Sequence, residues 1–81
     1  MSAFWPVRRR LGRHLLDLAA DGQRGQLLLV RASHQELADA VGTVREVVAR
    51  TLAGLRVEGY ISSHPNGICL LDPDALAHLP T

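Results

Sequence analysis

Ser33-His34-Gln35-Glu36-Leu37-Ala38-Asp39-Ala40-Val41-Gly42-Thr43-Val44-Arg45-Glu46-Val47-Val48-Ala49-Arg50-Thr51-Leu52 is the stretch on which the fold turns. Ser33 is followed three positions later by Glu36. That is the capping-box pattern, in which a hydroxyl and a carboxylate each take a backbone N–H at a helix start. A short helix over about 34–41 follows, and Gly42 breaks it. Thr43 and Glu46 repeat the pattern and predict a second capped helix over about 44–58, with Gly59 as its C-terminal stop. Two short helices joined at a glycine make a helix-turn-helix, here over about 34–58.

Working outward, residues 60–62 and 68–71 flank His64-Pro65-Asn66-Gly67, a turn-forming run. They predict a hairpin, a wing over about 60–71. Asp72-Pro73 opens a last short helix over about 73–79. Upstream, Pro6 suits the first turn of a helix, and Val7, Leu11, Leu15 and Leu18 recur at helical spacing. Helix one is therefore expected over about 6–20, ended by Asp21-Gly22 and Gly25. Residues 27–31 are apolar and bounded by turn signals, which reads as a buried strand; periodicity alone leaves a helix open. The order describes an α+β fold, a winged helix-turn-helix over about 4–79. It has three main helices, a small antiparallel sheet with one wing, and a short C-terminal helix.

Composition agrees. Eighty-one residues make one domain at most, and 47% hydrophobic with 21% charged residues is ordinary globular chemistry rather than that of a disordered tail. The longest apolar run, residues 27–30, is far short of the roughly 18 residues of a membrane span. The N-terminus lacks the basic-then-apolar order of a signal peptide. Cys69 stands alone, which excludes an internal disulfide framework and fits a reducing cytoplasm. It is expected to be a small buried or half-buried hydrophobe. His14, His34, His64 and His78 are scattered without metal-ligand spacing, and no nucleophile–base pair is visible, so an enzyme is not expected.

Net charge is only +1, so distribution matters more than total. All nine basic residues are arginine. The planar guanidinium can grip a phosphate or a guanine edge with two bonds. A GC-rich genome would produce the same bias. On the second capped helix, Val44, Val47, Val48, Thr51, Leu52 and Leu55 form one stripe expected to face a core. Arg45, Glu46, Ala49, Arg50 and Ala53 fall opposite. Arg can take guanine O6 and N7, Glu can accept from cytosine N4, and alanine lets the backbone come close. Two readings are open from spacing alone: a helix that enters the major groove, or a solvated face with Arg–Glu pairs.

The residues from His34 to Leu52 resemble the helix-turn-helix of the cyclic-AMP receptor protein and fumarate-nitrate regulator family, through Gln35-Glu36-Leu37, Val41-Gly42, Arg45-Glu46, Val48 and Arg50. Leu55-Arg56-Val57-Glu58-Gly59-Tyr60-Ile61 resembles that family's approach to its wing. Arg10, Leu15, Leu16 and Leu18-Ala19 match its first helix. The resemblance covers roughly residues 4–72 and implies sequence-specific binding of double-stranded DNA in bacterial transcription control. It implies that Arg45, Glu46 and Arg50 read base edges of a TGTGA-like half-site. It also implies that Ser33 and Gln35 contact phosphate. Thr43, at the start of the reading helix, is grouped with them. His34 and His64 lie where each could donate to the backbone.

The chain departs from the family at Val44 and Val47, where Ser or Thr is common, and at Thr51, where an aliphatic is usual. The 21–25 linker is short compared with members that touch RNA polymerase there. The cyclic-nucleotide sensor and the long dimerisation helix of the family have no counterpart in these residues. An effector such as a cyclic nucleotide would bind that other domain, no cofactor is expected here, and a homodimer is expected only in a full-length regulator. That leaves a fragment of a larger regulator or a stand-alone reader, and Met1-Ser2-Ala3 before a recognisable start points to the fragment. Phe4 and Trp5 would then pack on the rest of it. A different class of function, a winged helix used for protein contact such as with polymerase, would need an apolar outer face on residues 44–58; on DNA binding itself, the nearest alternative is a winged-helix reader from another regulator family. Arg8, Arg9, Arg10 and Arg13 crowd the start of helix one, where cations oppose the dipole. They could meet phosphate or an acidic partner surface, or form a plain solvated face with Arg13 paired to Asp17.

Overall fold

The computed structural model describes residues 6–22 and 28–79. Phe4, Trp5 and most of the 21–25 linker, with Leu27 of the expected strand, lie outside the described residues. The chain forms α1 (Val7–Gly22), β1 (Leu29–Val30), α2 (His34–Val41), α3 (Arg45–Val57), β2 (Ile61–His64), β3 (Gly67–Leu70) and α4 (Pro73–Ala77). This is the expected winged helix-turn-helix. Helix one runs two residues beyond the expected end, and the strand is shorter than residues 27–31. The last helix stops at Ala77 rather than 79, because His78 leaves helical geometry at φ −120° and ψ 27°.

α1, α2 and α3 bury Leu11, Leu15, Leu37, Val48, Leu52 and Leu55 completely, and the sheet closes the core with Val30 and Ile61. The three strands are antiparallel in the order β1-β3-β2. β3 is therefore central, with Val30 opposite Ile68 and His64 opposite Gly67. Cys69 lies buried in β3, as expected. Gly12 lets α4 approach α1: a Cβ there would come 2.8 Å from Leu79 Cδ1 and 3.3 Å from the Leu76 carbonyl oxygen.

The local signals explain the ends of the helices. Ser33 Oγ accepts the Glu36 N–H at 3.1 Å, and Glu36 Oε1 accepts the Ser33 N–H at 2.8 Å. Gly42 then ends α2 in the left-handed region at φ 77°. Gly59, at φ 85°, ends α3. Its N–H reaches the Arg56 carbonyl at 3.1 Å and the Tyr60 N–H reaches the Leu55 carbonyl at 3.0 Å, a Schellman arrangement. Asp72 caps α4 through a 3.1 Å bond from the Ala75 N–H.

The second expected capping box does not form. The Thr43 N–H donates to the Ala38 carbonyl at 2.9 Å, so Thr43 still belongs to the turn that closes α2. The first extended residue is Val44, which becomes the N-cap of a helix starting at Arg45, with no side-chain cap bond. Glu46 is displaced by one position from where a capping carboxylate must sit. The apolar stripe is corrected at the same place. Val48, Leu52 and Leu55 are buried, Val47 and Thr51 are half-buried, and Val44 is exposed. The Thr51 hydroxyl is accommodated by donating to the Val47 carbonyl at 2.7 Å.

The Ser33–Glu36 box couples the start of α2 to pH. The Ser33 backbone N–H, and then its side chain, hold the Glu36 carboxyl below its ordinary 4.5. A carboxyl with a lowered folded value stabilises fully above its unfolded value, and that contribution is lost as the pH falls through the lowered one. Acid titration of stability should therefore fall less steeply below about 4.5 in Glu36→Gln than in the native domain. Ser33→Ala should cost about 1 kcal/mol in chemical denaturation at neutral pH.

Candidate nucleic-acid interface

The turn 42–44 sets α3 across α2 and leaves one side of α3 in solvent. Arg45, Glu46 and Arg50 are exposed there, with half-buried Ala49 between them and exposed Ala53 beyond. None of the three charged side chains makes a hydrogen bond or ion pair with another described residue. The Arg–Glu pairs of a self-satisfied surface are missing, although unlike charges lie within helical reach. Val57, at the far end of the helix, is also exposed.

The arginines of α1 are different. Arg8 pairs with Glu58 at 2.7 Å and lies over the Tyr60 ring, 5.7 Å from its centroid. It ties α1 to the end of α3 and the start of the wing. Arg10 donates to the Val41 carbonyl at the C-terminus of α2, where the helix dipole favours a cation. Arg13 pairs with Asp17 at 3.5 Å, as its spacing predicts. Long-range contacts thus account for Arg8 and Arg10, and a local pair for Arg13. No local signal could have identified the partners of Arg8 and Arg10.

The remaining candidate residues fall in two places. Ser33, His34 and Gln35 are exposed at the start of α2, with Thr43 half-buried in the turn. Ser33 accepts through its hydroxyl oxygen and keeps its O–H hydrogen for another acceptor. Gln35 Nε2 donates to Asp39 at 2.9 Å, and the amide has a second N–H. His64 sits in the wing, where its Nδ1 accepts the Asn66 N–H at 3.0 Å. A neutral ring held in this way carries its hydrogen on Nε2. Among the described residues no group of three or more His, Cys, Asp or Glu could hold a metal, and no helix is long and apolar enough to cross a membrane.

A winged helix-turn-helix that presents an unpaired arginine-bearing face on its second short helix is a DNA-binding domain of the kind built into transcription regulators. Residues 9–79 match the Crp-like helix-turn-helix domain, and the chain belongs to that family. It is 41% identical over 73 residues to the transcriptional regulator LdrP of Thermus thermophilus, a match that covers 86% of this chain and 37% of LdrP. The crystal structure of TTHB099, a CRP-family transcriptional regulator from Thermus thermophilus, superposes with a TM-score of 0.82 at 39% identity, over 90% of this chain and 39% of that one. TTHA1359, a CRP/FNR-family regulator from the same organism, gives a TM-score of 0.81 at 35% identity, over 95% of this chain and 43% of that one. The chain thus spans well under half the length of these relatives.

Proposed function

We propose that this domain binds double-stranded DNA sequence-specifically to control transcription, with α3 in the major groove. Arg45, Glu46 and Arg50 read base edges of a TGTGA-like half-site. Ser33, His34, Gln35, Thr43 and His64 set the register on phosphates. One observation carries the reading: three exposed charged side chains on one face of α3, engaged by no other described residue. Arg has the donors for guanine, and Glu has the acceptor for cytosine. Glu46 also argues against a face built only for phosphate, because a carboxylate is repelled there. The domain does no covalent chemistry and needs no cofactor of its own. In a longer regulator, a separate domain would hold the effector and drive dimerisation, and RNA polymerase would be a further partner. A cytoplasmic location follows from this role.

Selection from random duplexes tests the proposal. An enriched TGTGA-like sequence supports it; a pool with no enriched sequence overturns it. Binding to one half-site should be weak, because a single reader buries only about 600–1,000 Å² on DNA. Sedimentation of the isolated domain at micromolar concentration is expected to show a monomer or a weak dimer.

Gln35→Ala should weaken binding less than about tenfold, and equally on selected and scrambled duplexes, because phosphate carries no sequence. A loss confined to the selected duplex would place Gln35 on a base instead.

A further inference from the structure

Val44 is at odds with its position twice over. As the N-cap of α3 it makes no side-chain cap bond, where Ser, Thr, Asp or Asn would satisfy an orphan N–H. The residue is 60% exposed and is not among those packed on the core, so its methyl groups add little there. Its backbone, at φ −112° and ψ 158°, is ordinary extended geometry that any residue adopts. Neither the local structure nor the packing of the domain accounts for a valine here.

Its neighbours supply a reason. Val44 directly precedes exposed, unengaged Arg45 and Glu46. If α3 enters the major groove, Val44 travels with the leading end of the helix. The apolar feature that a duplex presents in that groove is the C5-methyl group of thymine. We infer that Val44 is a further specificity residue, whose isopropyl group packs on a thymine methyl in the half-site; this rests on the DNA-reading role proposed above. The contact distinguishes thymine from cytosine, which has no methyl at C5. It also requires no polar group to be desolvated. A hydroxyl at this position would stabilise the helix start or reach a phosphate, and the valine exchanges that for contact with a base.

The test uses the selected duplex with each thymine replaced in turn by deoxyuridine, which keeps the hydrogen-bonding edges and removes only the methyl. One position is expected to lower the affinity of the native domain about fourfold, the worth of one buried methyl. Val44→Ser should lose sensitivity at that position, while its melting temperature rises by about 4 °C as the new cap forms. Val44→Ala should retain the fold and show a reduced response at the same position. The inference is overturned if no deoxyuridine position matters, or if Val44→Ser responds as the native domain does. A fall in the melting temperature of Val44→Ser would also overturn it, by giving the valine a structural job. If Arg50→Ala weakens binding while no deoxyuridine does, the DNA-reading role stands and only the assignment of Val44 fails. If no duplex is selected at all, both fail together.

Discussion

Gly67→Ala is expected to destabilise the domain by about 3 kcal/mol or more and to detach β1 from the wing. Gly67 opens β3 at φ 144°, a conformation open to glycine and strained for any residue with a Cβ. The space is closed as well. A Cβ there would lie 2.2 Å from the Val30 carbonyl oxygen and 3.1 Å from its carbonyl carbon. These are backbone atoms of β1, so no flexible side chain can move aside. β1 is only Leu29–Val30, and its register rests on β3, so a displaced Val30 leaves it little to hold. Gly59→Ala is the calibrating control. Gly59 also has a positive φ, 85°, but nothing lies within 4 Å of its absent Cβ. It should cost only the backbone penalty, about 1–2 kcal/mol. The measurement is the denaturation midpoint of both variants, with amide exchange along β1 and β3. Equal losses would show that β1 yields to the methyl group without penalty.

That contrast marks what the sequence can reveal. Gly59 is legible as a helix stop, because the αL cap is a local device at the end of a periodic pattern. Gly67 is legible only as part of a turn. Its close approach to Val30 joins residues 37 positions apart and follows from the pairing β1-β3-β2, which no local pattern encodes. Arg8 and Glu58 are separated in the same way. The helix-turn-helix is readable because the Ser33–Glu36 box, the Gly42 turn and the apolar positions Val48, Leu52 and Leu55 are all short-range features. The start of α3 departs from its local pattern for an instructive reason. Ser33-His34-Gln35-Glu36 and Thr43-Val44-Arg45-Glu46 carry the same capping pattern. They differ in what precedes them: the Thr43 N–H is already bonded to Ala38 at the end of α2. A tertiary turn thus overrides a local cap, shifts the helix by one residue and turns Val44 outward.

The shift changes what can be expected of Glu46, and with it the outcome at Arg50. Arg50→Ala should lower affinity for the selected half-site by about 1–3 kcal/mol, roughly five- to 150-fold. The melting temperature should be nearly unchanged, because Arg50 is exposed and bonded to no other described residue. An unaltered affinity in a folded variant would remove Arg50 from the reading face. Glu46 has two competing roles in the sequence: a reach back to Thr43 as a capping carboxylate, or acceptance from a cytosine amino group. The first is closed, since Val44 is the N-cap and the Thr43 N–H is already taken. What remains of a structural role is a negative charge in the first turn of α3, worth about 0.3–1 kcal/mol through the helix dipole. Glu46→Gln removes that charge and keeps the size, so it should cost stability no more than this. The Gln amide, unlike the carboxylate, can donate as well as accept, and adenine offers the matching acceptor and donor at N7 and N6. The variant should therefore relax or switch its preference at one base pair of the half-site, from C·G toward A·T, and leave the other positions unchanged. Repeating the duplex selection with Glu46→Gln reads this out directly. An identical preference at every position would show that the Glu46 carboxylate faces the groove without touching a base.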